Sequence, residues 1–453
     1  MVDIDAVFKA YDVRGLAHSE LDAELSRSIG AAFARFVADE DAATSIVVSY
    51  DMRPSSPEFA AAFADGAMSQ GVDVVDIGLA STDMMYFASG SLGVPGAVFT
   101  ASHNPAEYNG IKMCRTGAAP LAGDTGLGAV KEMARTLLPA VENRGTRTEK
   151  EMLSAFASHV LSFIDLDVLT PLKIVADTAN GMGGLVAPAV FDQLPFDVEI
   201  MYPELDGTFP NHPADPLNEA NLADLKERVL EVGADIGLAF DGDADRVFLV
   251  DANAEGVSGS LTTALVAEQI LQSDPEATIL YNLICSKVVP EVIAENGGTA
   301  VRTRVGHSFI KGLMAETGAV FGGEHSGHYY FRDNWRADSG MIAAVVVLAA
   351  MCSSGKALHE IVEPLRRYEA SGELNTTVPD KDAVIAHIAS VYADAEQDEL
   401  DGLTIDLGDW WFNLRGSNTE PLLRLNLEAP TTEAVKQRVA EVQAHMAAAP
   451  VVS

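Results

Sequence analysis

The sequence predicts an α/β protein of three tandem, related units followed by a smaller segment of different character. Three observations carry that expectation. Strand-like and helix-like stretches alternate over residues 46 to 364, the pattern of crossover units. Each unit sends a short apolar strand directly into a loop rich in reactive side chains. The tetrapeptide Gly96-Ala97-Val98-Phe99 also recurs as Gly318-Ala319-Val320-Phe321. Duplicated modules presenting equivalent strand ends to a common cleft account for both of the last two.

A chain of 453 residues exceeds what one core organises and corresponds to three or four domains. With 48% hydrophobic and 21% charged residues, the composition is that of a soluble globular protein. The formal net charge of −36 argues against nucleic acid and anionic membrane as partners, since both are bound largely through clustered Lys and Arg. A small anionic substrate then needs a local cationic pocket. Cys114, Cys285 and Cys352 lie far apart and are odd in number, which speaks against a disulfide framework or zinc site and for a reducing compartment, expected to be the cytoplasm. The start Met1-Val2-Asp3-Ile4-Asp5 has acids where a signal peptide has bases. The longest apolar run, Met341 to Cys352, is too short to span a bilayer and reads as a buried helix capped by Asp338 or Ser339.

The first unit opens with Lys9-Ala10-Tyr11-Asp12-Val13-Arg14-Gly15, an aromatic and a cation before a glycine, by default a surface turn. A helix over about 20 to 38, the strand Ile46 to Tyr50, the loop Asp51-Met52-Arg53-Pro54-Ser55 and a helix from Pro57 to Gln70 follow from hydrophobic periodicity. Val72 to Ile77 and Gly96 to Phe99 read as strands. The latter runs into Thr100-Ala101-Ser102-His103-Asn104-Pro105, where a hydroxyl stands beside an imidazole. An ordinary Asn-Pro turn fits that loop, and so does a nucleophilic or phosphorylated serine. Lys112 offers a cation a little further on, although most lysines are simply solvated.

The polar segment 143 to 150 reads as a linker before a helix over about 151 to 164. The second unit begins with the strand Lys173 to Asp177 and the turn Asn180 to Gly184, and its loop Pro203 to Pro216 reads as a connection. Asp235 to Phe240 is a buried strand that enters Asp241-Gly242-Asp243-Ala244-Asp245-Arg246. Carboxylates at i, i+2 and i+4 converge on an extended or coiled backbone, and three hard oxygen ligands suit Mg²⁺ or Ca²⁺. Arg246 beside them makes sense if both serve an anionic third group such as phosphate. An EF-hand loop requires Gly at position 6 and Glu at position 12, where this chain has Arg246 and Ala252. A solvated acidic turn is the plain alternative.

The third unit, about Gly256 to Pro364, holds the strand Thr278 to Leu283, a helix from Ser286 to Asn296 and the stretch Gly306-His307-Ser308-Phe309-Ile310-Lys311. Its second GAVF strand enters Gly322-Gly323-Glu324-His325-Ser326-Gly327-His328. The last segment, 369 to 453, has a helix at about 380 to 394, strands near 403 to 407 and 410 to 414, and a final helix from Thr432 to Met446. Between them Arg415-Gly416-Ser417-Asn418-Thr419 packs a guanidinium, a glycine, two hydroxyls and an amide before Glu420-Pro421. Those donors suit phosphate oxygens, and a plain turn fits equally well.

TASHNP, DGDADR, GEHSGH and RGSNTEP occur once each, in order, one per inferred domain. Together they resemble the α-D-phosphohexomutase superfamily, and the opening AYDVRG resembles its phosphomannomutase/phosphoglucomutase branch, over essentially the whole chain. The resemblance implies three tandem related α/β domains with mixed sheets (1–148, 149–252 and 253–367) plus a smaller C-terminal α+β domain (368–453), around a central cleft. It implies an isomerase that interconverts hexose 1-phosphate and hexose 6-phosphate, of mannose, glucose or both, through a phosphoserine enzyme and a hexose 1,6-bisphosphate. Under the same resemblance Ser102 carries the phosphoryl group, and Asp241, Asp243 and Asp245 bind Mg²⁺ with an oxygen of that phosphoserine. Glu324 and Ser326 hold sugar hydroxyls. Arg415, Ser417, Asn418 and Thr419 grip the non-reacting phosphate, with Tyr11 and Arg424 as further substrate contacts. Arg14, His103, Lys112, Arg246, His307 and His328 match positions that supply charge stabilisation and proton transfer. Hexose phosphates are the expected partners of a monomer or homodimer.

The chemistry is coherent with these residue types, since phosphoryl transfer needs positioning and charge neutralisation, which Mg²⁺, Arg246 and Lys112 would provide. Two departures stand out. His325 occupies a position where related sequences usually show Met or Gln. Ile284 falls where some relatives have a substrate-contacting lysine, so that Lys287 is either a substitute or a helix-surface residue. A phosphoglucosamine mutase is the near alternative. A phosphatase with Asp241 as nucleophile would release inorganic phosphate and have no need of Ser102, and a non-catalytic acidic metal-binding protein would show neither turnover nor phosphoserine.

Overall fold

A computed structural model describes residues 3–416 and 422–449, apart from the side chains of Asp124 and His307. The first unit is a mixed sheet of β1 (Val13–Leu16), β2 (Ser45–Tyr50), β3 (Asp73–Leu79), β4 (Gly96–Phe99), β5 (Tyr108–Arg115) and β6 (Arg147–Glu149), in spatial order β1-β5-β4-β2-β3-β6, with the two-residue strand Ala119–Pro120 also paired to β5. The second contains β7 (Lys173–Asp177), β8 (Asp197–Met201), β9 (Ile236–Phe240) and β10 (Val247–Asp251) in order β10-β9-β7-β8. The third contains β11 (Thr278–Asn282), β12 (Thr299–Thr303), β13 (Phe321–Gly323) and β14 (Tyr329–Phe331) in order β14-β13-β11-β12.

These orders are one arrangement used three times. In each unit three consecutive strands run parallel (β2 to β4, β7 to β9, β11 to β13) and the next strand (β5, β10, β14) returns antiparallel beside the last of them. The loop between the last parallel strand and the returning one therefore leaves the same edge of every sheet. Those loops are 100–107, 241–246 and 324–328. Strands β4 and β9 are buried along their whole length, as expected of parallel strands covered on both faces.

One apolar core runs through all three units, from Val47 and Phe156 to Ile279 and Leu348. At its centre lies the helix Gly340–Ser354, buried from Gly340 to Cys352 and apolar all round. Its N-cap is Ser339, whose Oγ accepts from the Ile342 N–H at 3.1 Å, a contact worth about 1 kcal/mol. The last unit is an antiparallel sheet of β15 (Glu369–Thr377), β16 (Glu396–Asp398), β17 (Leu403–Asp406), β18 (Trp411–Gly416) and β19 (Leu422–Ala429), in order β15-β19-β18-β17-β16. It has its own core, built on Trp410, Phe412, Leu414, Leu425 and Val442. Ion pairs tie it to the third unit, namely Lys287 to Asp406 at 2.6 Å and Arg302 to Asp398 at 2.7 Å. No single helix among the described residues is long and apolar enough to cross a membrane.

Several local expectations are corrected. Val13–Leu16 is a strand because Arg14 pairs across from Gly110, so the opening motif is part of the sheet and not a surface turn. Lys112 likewise sits on a strand, paired opposite Val98. The polar segment 143–150 contains β6, an exposed edge strand parallel to β3, whose lack of apolar residues made it read as a linker. Residues 307–317 form a helix, closed by Gly318 in the left-handed region (φ 71°). Phe321 thus begins β13 whereas Phe99 ends β4, so the repeated tetrapeptide is not structurally equivalent. The equivalence of the modules rests on strand order.

Candidate active site

Ser102 sits just beyond β4 with φ 50°, a left-handed conformation that costs a non-glycine residue of order 1–3 kcal/mol. Its neighbours over-determine it. A Cβ on Gly242 would lie 2.4 Å from the Ser102 carbonyl oxygen, so only glycine lets the loop of the second unit come this close. The Ser102 N–H donates to Thr100 Oγ1 at 2.9 Å. The Ser102 hydroxyl donates to Asp241 Oδ2 at 2.8 Å and lies 3.3 Å from both Arg246 Nη2 and His103 Nδ1. Burial, together with Arg246 and Arg14, pushes the His103 imidazole down to about 2, so that ring is neutral. Arg14 reaches the same loop from β1, donating to Asn104 Oδ1 and to Asp12, both at 2.6 Å.

The three carboxylates converge. Asp241, Asp243 and Asp245 are essentially fully buried and each brings an oxygen within 4.8 Å of the others. Lys112 Nζ reaches Asp243 at 2.8 Å and Asp245 at 2.6 Å, while Arg246 Nε holds Asp241 Oδ2 at 2.8 Å. Three carboxylates against these two cations leave one excess negative charge. Burial raises the Asp241 and Asp245 carboxyls. It would raise Asp243 too, but the Lys112 charge and hydrogen bonds from Lys112 and Thr82 hold that group below the usual carboxylate range. Asp243 Oδ1 and Asp245 Oδ1 are buried with no hydrogen-bond partner. Converging orphaned carboxylate oxygens are what a hard divalent cation satisfies, so the residues present fit Mg²⁺.

The loop of the third unit joins this cluster to a second region. The His328 and Arg246 backbones form a bridge, and His328 Nε2 lies 3.7 Å from Asp245 Oδ1, with its Nδ1 3.0 Å from Ser326 Oγ. Glu324 is buried and accepts from Tyr330 Oη at 2.7 Å, from the Gly306 N–H at 3.2 Å and from Asn282 Nδ2 at 3.3 Å. His325, Arg415 and Arg424 border a cavity of about 650 Å³ between the third and fourth units. Arg415 and Arg424 are directly opposed across β18 and β19. That like-charged pair is relieved by Glu373, 3.6 Å from each, and by Asp401, 3.4 Å from Arg415. Tyr11 closes the cleft from the first unit, its ring edge-on to Phe309 at 5.9 Å.

Ser417, Asn418 and Thr419 and the side chain of His307 lie outside the described residues. Lys287 places Nζ on Asp406 at 2.6 Å and on the Gly408 carbonyl at 2.7 Å, so it braces the last unit.

The residue that sequence reasoning missed is Arg53. Its guanidinium is 1% exposed and donates to three carbonyls of the serine loop, Ser102 (2.9 Å), Asn104 (2.7 Å) and Pro105 (2.8 Å), and to that of Tyr108 (3.0 Å), where β5 begins. Asp51 balances its charge at 3.2 Å, and Phe209 of the second unit covers it at 5.1 Å. An Asp-x-Arg pair leaving the strand next to β4 was the available signal. Thr82 and Asp83 were missed as well. Thr82 Oγ1 donates to Asp243 at 2.6 Å, and Asp83 accepts from Ser339 Oγ at 2.6 Å, tying the three units together.

Comparison with known families matches four consecutive stretches. They are described as phosphoglucomutase/phosphomannomutase alpha/beta/alpha domain I (residues 5–136), domain II (154–256), domain III (258–368) and C-terminal domain (373–445). A phosphomannomutase of Salmonella montevideo is 39% identical over 434 residues, covering 93% of this chain and 94% of that protein. A phosphomannomutase of Methanocaldococcus jannaschii is 37% identical over 441 residues, 96% of each. Among solved structures, a phosphoglucomutase/phosphomannomutase family protein from Burkholderia thailandensis superposes with a TM-score of 0.91 at 31% identity, over 99% of this chain and 98% of that one.

Proposed function

The chain belongs to the phosphoglucomutase/phosphomannomutase family, and we propose that it interconverts the 1- and 6-phosphates of mannose and glucose through phosphorylated Ser102 and a hexose 1,6-bisphosphate. The observation that carries this reading is the Ser102 hydroxyl, held on a strained loop tip between Asp241 at 2.8 Å and Arg246 at 3.3 Å.

In the first half-reaction the bond from Ser102 Oγ to phosphorus breaks and one from the hexose hydroxyl oxygen forms. His328, bordering both Asp245 and Ser326, takes the hydroxyl proton. The Ser102 oxygen leaves as an oxyanion beside Arg246 Nη2, and the second half-reaction reverses these bonds at the other end of the sugar, Ser102 taking that phosphate back while His328 returns its proton to the departing hexose oxygen. Arg246 and Lys112 lower the cost of charge on the phosphoryl oxygens, and Lys112 is suited to this because Asp243 and Asp245, outweighing burial, hold it protonated. Asp241, Asp243 and Asp245 would hold Mg²⁺, which when bound neutralises phosphoryl oxygens as a Lewis acid. Glu324 and Ser326 orient the sugar. Arg415 and Arg424, with Ser417, Asn418 and Thr419, grip the phosphate that is not reacting, and Arg14, Tyr11, His103 and His307 complete the cleft. In this reading the enzyme works in the cytoplasm on free hexose phosphates, as a monomer or homodimer, with neither nucleic acid nor membrane as partner.

A phosphatase acting through Asp241 is disfavoured because both of its oxygens are engaged, Oδ1 by the Arg246 N–H and Oδ2 by Ser102 and Arg246 Nε. The test is a coupled assay offering mannose, glucose and glucosamine 1-phosphates side by side. Mannose and glucose 1-phosphates should both be turned over, with kcat/KM values within about two orders of magnitude. Release of inorganic phosphate as the main product would overturn the mutase reading.

A further inference from the structure

His325 stands between Glu324 and Ser326, and its backbone is pinned. The helix Gly259–Ser273 begins against it so closely that a Cβ on Gly259 would lie 2.3 Å from the His325 carbonyl oxygen. The ring is oriented by Asn282, which is fully buried. Asn282 Nδ2 lies 3.0 Å from His325 Nδ1 and 3.3 Å from Glu324 Oε1, while its Oδ1 accepts from the Cys285 thiol at 3.0 Å. A carboxylate on one side and a thiol donor on the other fix which end of the amide is nitrogen. The amide therefore donates to His325 Nδ1, and that nitrogen carries no proton.

A neutral imidazole accepting at Nδ1 is protonated at Nε2. Burial first, and then the charges of Arg415, His328 and Arg246, push His325 down to about 3, so the ring is neutral wherever the protein is folded and active. Among the described residues Nε2 has no hydrogen-bond partner, and the ring borders the cavity shared with Arg415, Arg424, Ser258 and Trp411. A rigid, uncharged donor is thus carried on a ring that lines the space where the sugar would lie.

Resting on the hexose phosphate reading, we infer that His325 donates its Nε2–H to one hydroxyl oxygen of the bound hexose, which makes it a specificity-determining residue beside Glu324 and Ser326. A methionine there could fill the space without donating. An analogue lacking the recognised hydroxyl leaves a fixed donor unpaired, a penalty of about 10- to 100-fold in kcat/KM.

The experiment uses the full chain and the 2-, 3- and 4-deoxy analogues of glucose 1-phosphate. The wild-type protein is compared with His325→Met and His325→Gln, each normalised to its own turnover of glucose 1-phosphate. One of the three deoxy penalties should collapse by about 10- to 100-fold in His325→Met and be partly kept in His325→Gln, whose amide can still donate, while the other two stay put. Equal change in all three, or none, overturns the inference. His325→Ala gives the same readout if the methionine variant does not fold. Absence of turnover of glucose and mannose 1-phosphates by the wild-type protein would be a different failure, that of the mutase reading, and would take the inference with it.

Discussion

Replacing Arg53 separates what the serine loop owes to its support from what it owes to chemistry. Arg53→Met leaves Asp51 as an unpaired buried carboxylate and four carbonyls without donors. Breaking a buried ion pair by removing one partner costs about 3–5 kcal/mol. The loop borders the cleft, so water can recover part of the carbonyl bonding, and the figure is not increased for it. At about 2–4 °C per kcal/mol for a unit of this size, Tm should fall by roughly 6–20 °C. Arg53→Lys keeps a charge for Asp51 and should be less destabilised, yet one ammonium cannot span four carbonyls. Misplacement of a reacting group by about 1 Å costs about 10²-fold, so kcat of the lysine variant should drop by that order. KM should hold, because Arg415 and Arg424 lie in another unit. Thermal scanning and initial rates at saturating substrate read both. An Arg53→Lys protein with wild-type kcat, or an Arg53→Met protein within about 2 °C of wild type, would show that the loop holds its own shape.

Peptide mass spectrometry of the purified protein should find phosphate on Ser102, and Ser102→Ala should lower mutase activity by several orders of magnitude. Asp243→Asn keeps the Thr82 contact but weakens the Lys112 pair and removes one of the three carboxylates; calorimetry should show weaker Mg²⁺ binding and kcat should fall at saturating substrate, whereas activity that survives exhaustive chelation would exclude the metal role. For His212, burial lowers the imidazole but the Asp177 carboxylate 2.9 Å away more than compensates, so its pKa is raised above 6.5. A pKa raised by folding means stability that is complete below pH 6.5 and is lost as pH rises through the higher folded value. The Tm difference between wild type and His212→Gln should therefore be largest in mildly acidic buffer and shrink on the alkaline side; a difference independent of pH would show that the pair is not ionic.

The fold was legible where burial leaves a period in the chain. Strands such as β2, β4, β7 and β9 are apolar runs bounded by turn residues, and all were expected within a residue or two. The helix Thr82–Leu92 was not, because it is buried from Thr82 to Ser89 and so shows no polar face. Edge strand Arg147–Glu149 was missed for the opposite reason, having no buried face at all. In the site, Ser102 and the three aspartates were visible because reactive side chains crowd into six residues. Arg53 left only the Asp-x-Arg pair as a trace, because its work is done on backbone carbonyls 49 to 55 positions away, and carbonyls leave no mark in a sequence.

The separate core of the last unit sets how that unit can move. A seam closed by shared apolar area opens at a cost that grows with every square ångström exposed. The seam here is fastened by discrete polar contacts, the exposed pairs Lys287 with Asp406 and Arg302 with Asp398, each worth about 0–1 kcal/mol where solvent reaches it, and the Lys287 N–H on the buried Glu428 carboxylate at 2.9 Å, and such contacts can slip one at a time. Glu373 and Asp401 already lean on Arg415 at 3.6 and 3.4 Å, contacts that an arriving phosphate can outbid. Ligand charge and ionic strength thus act on the same set of contacts around the last unit. A rise in salt should weaken the ion pairs of this seam while leaving the shared apolar core of the first three units unaffected.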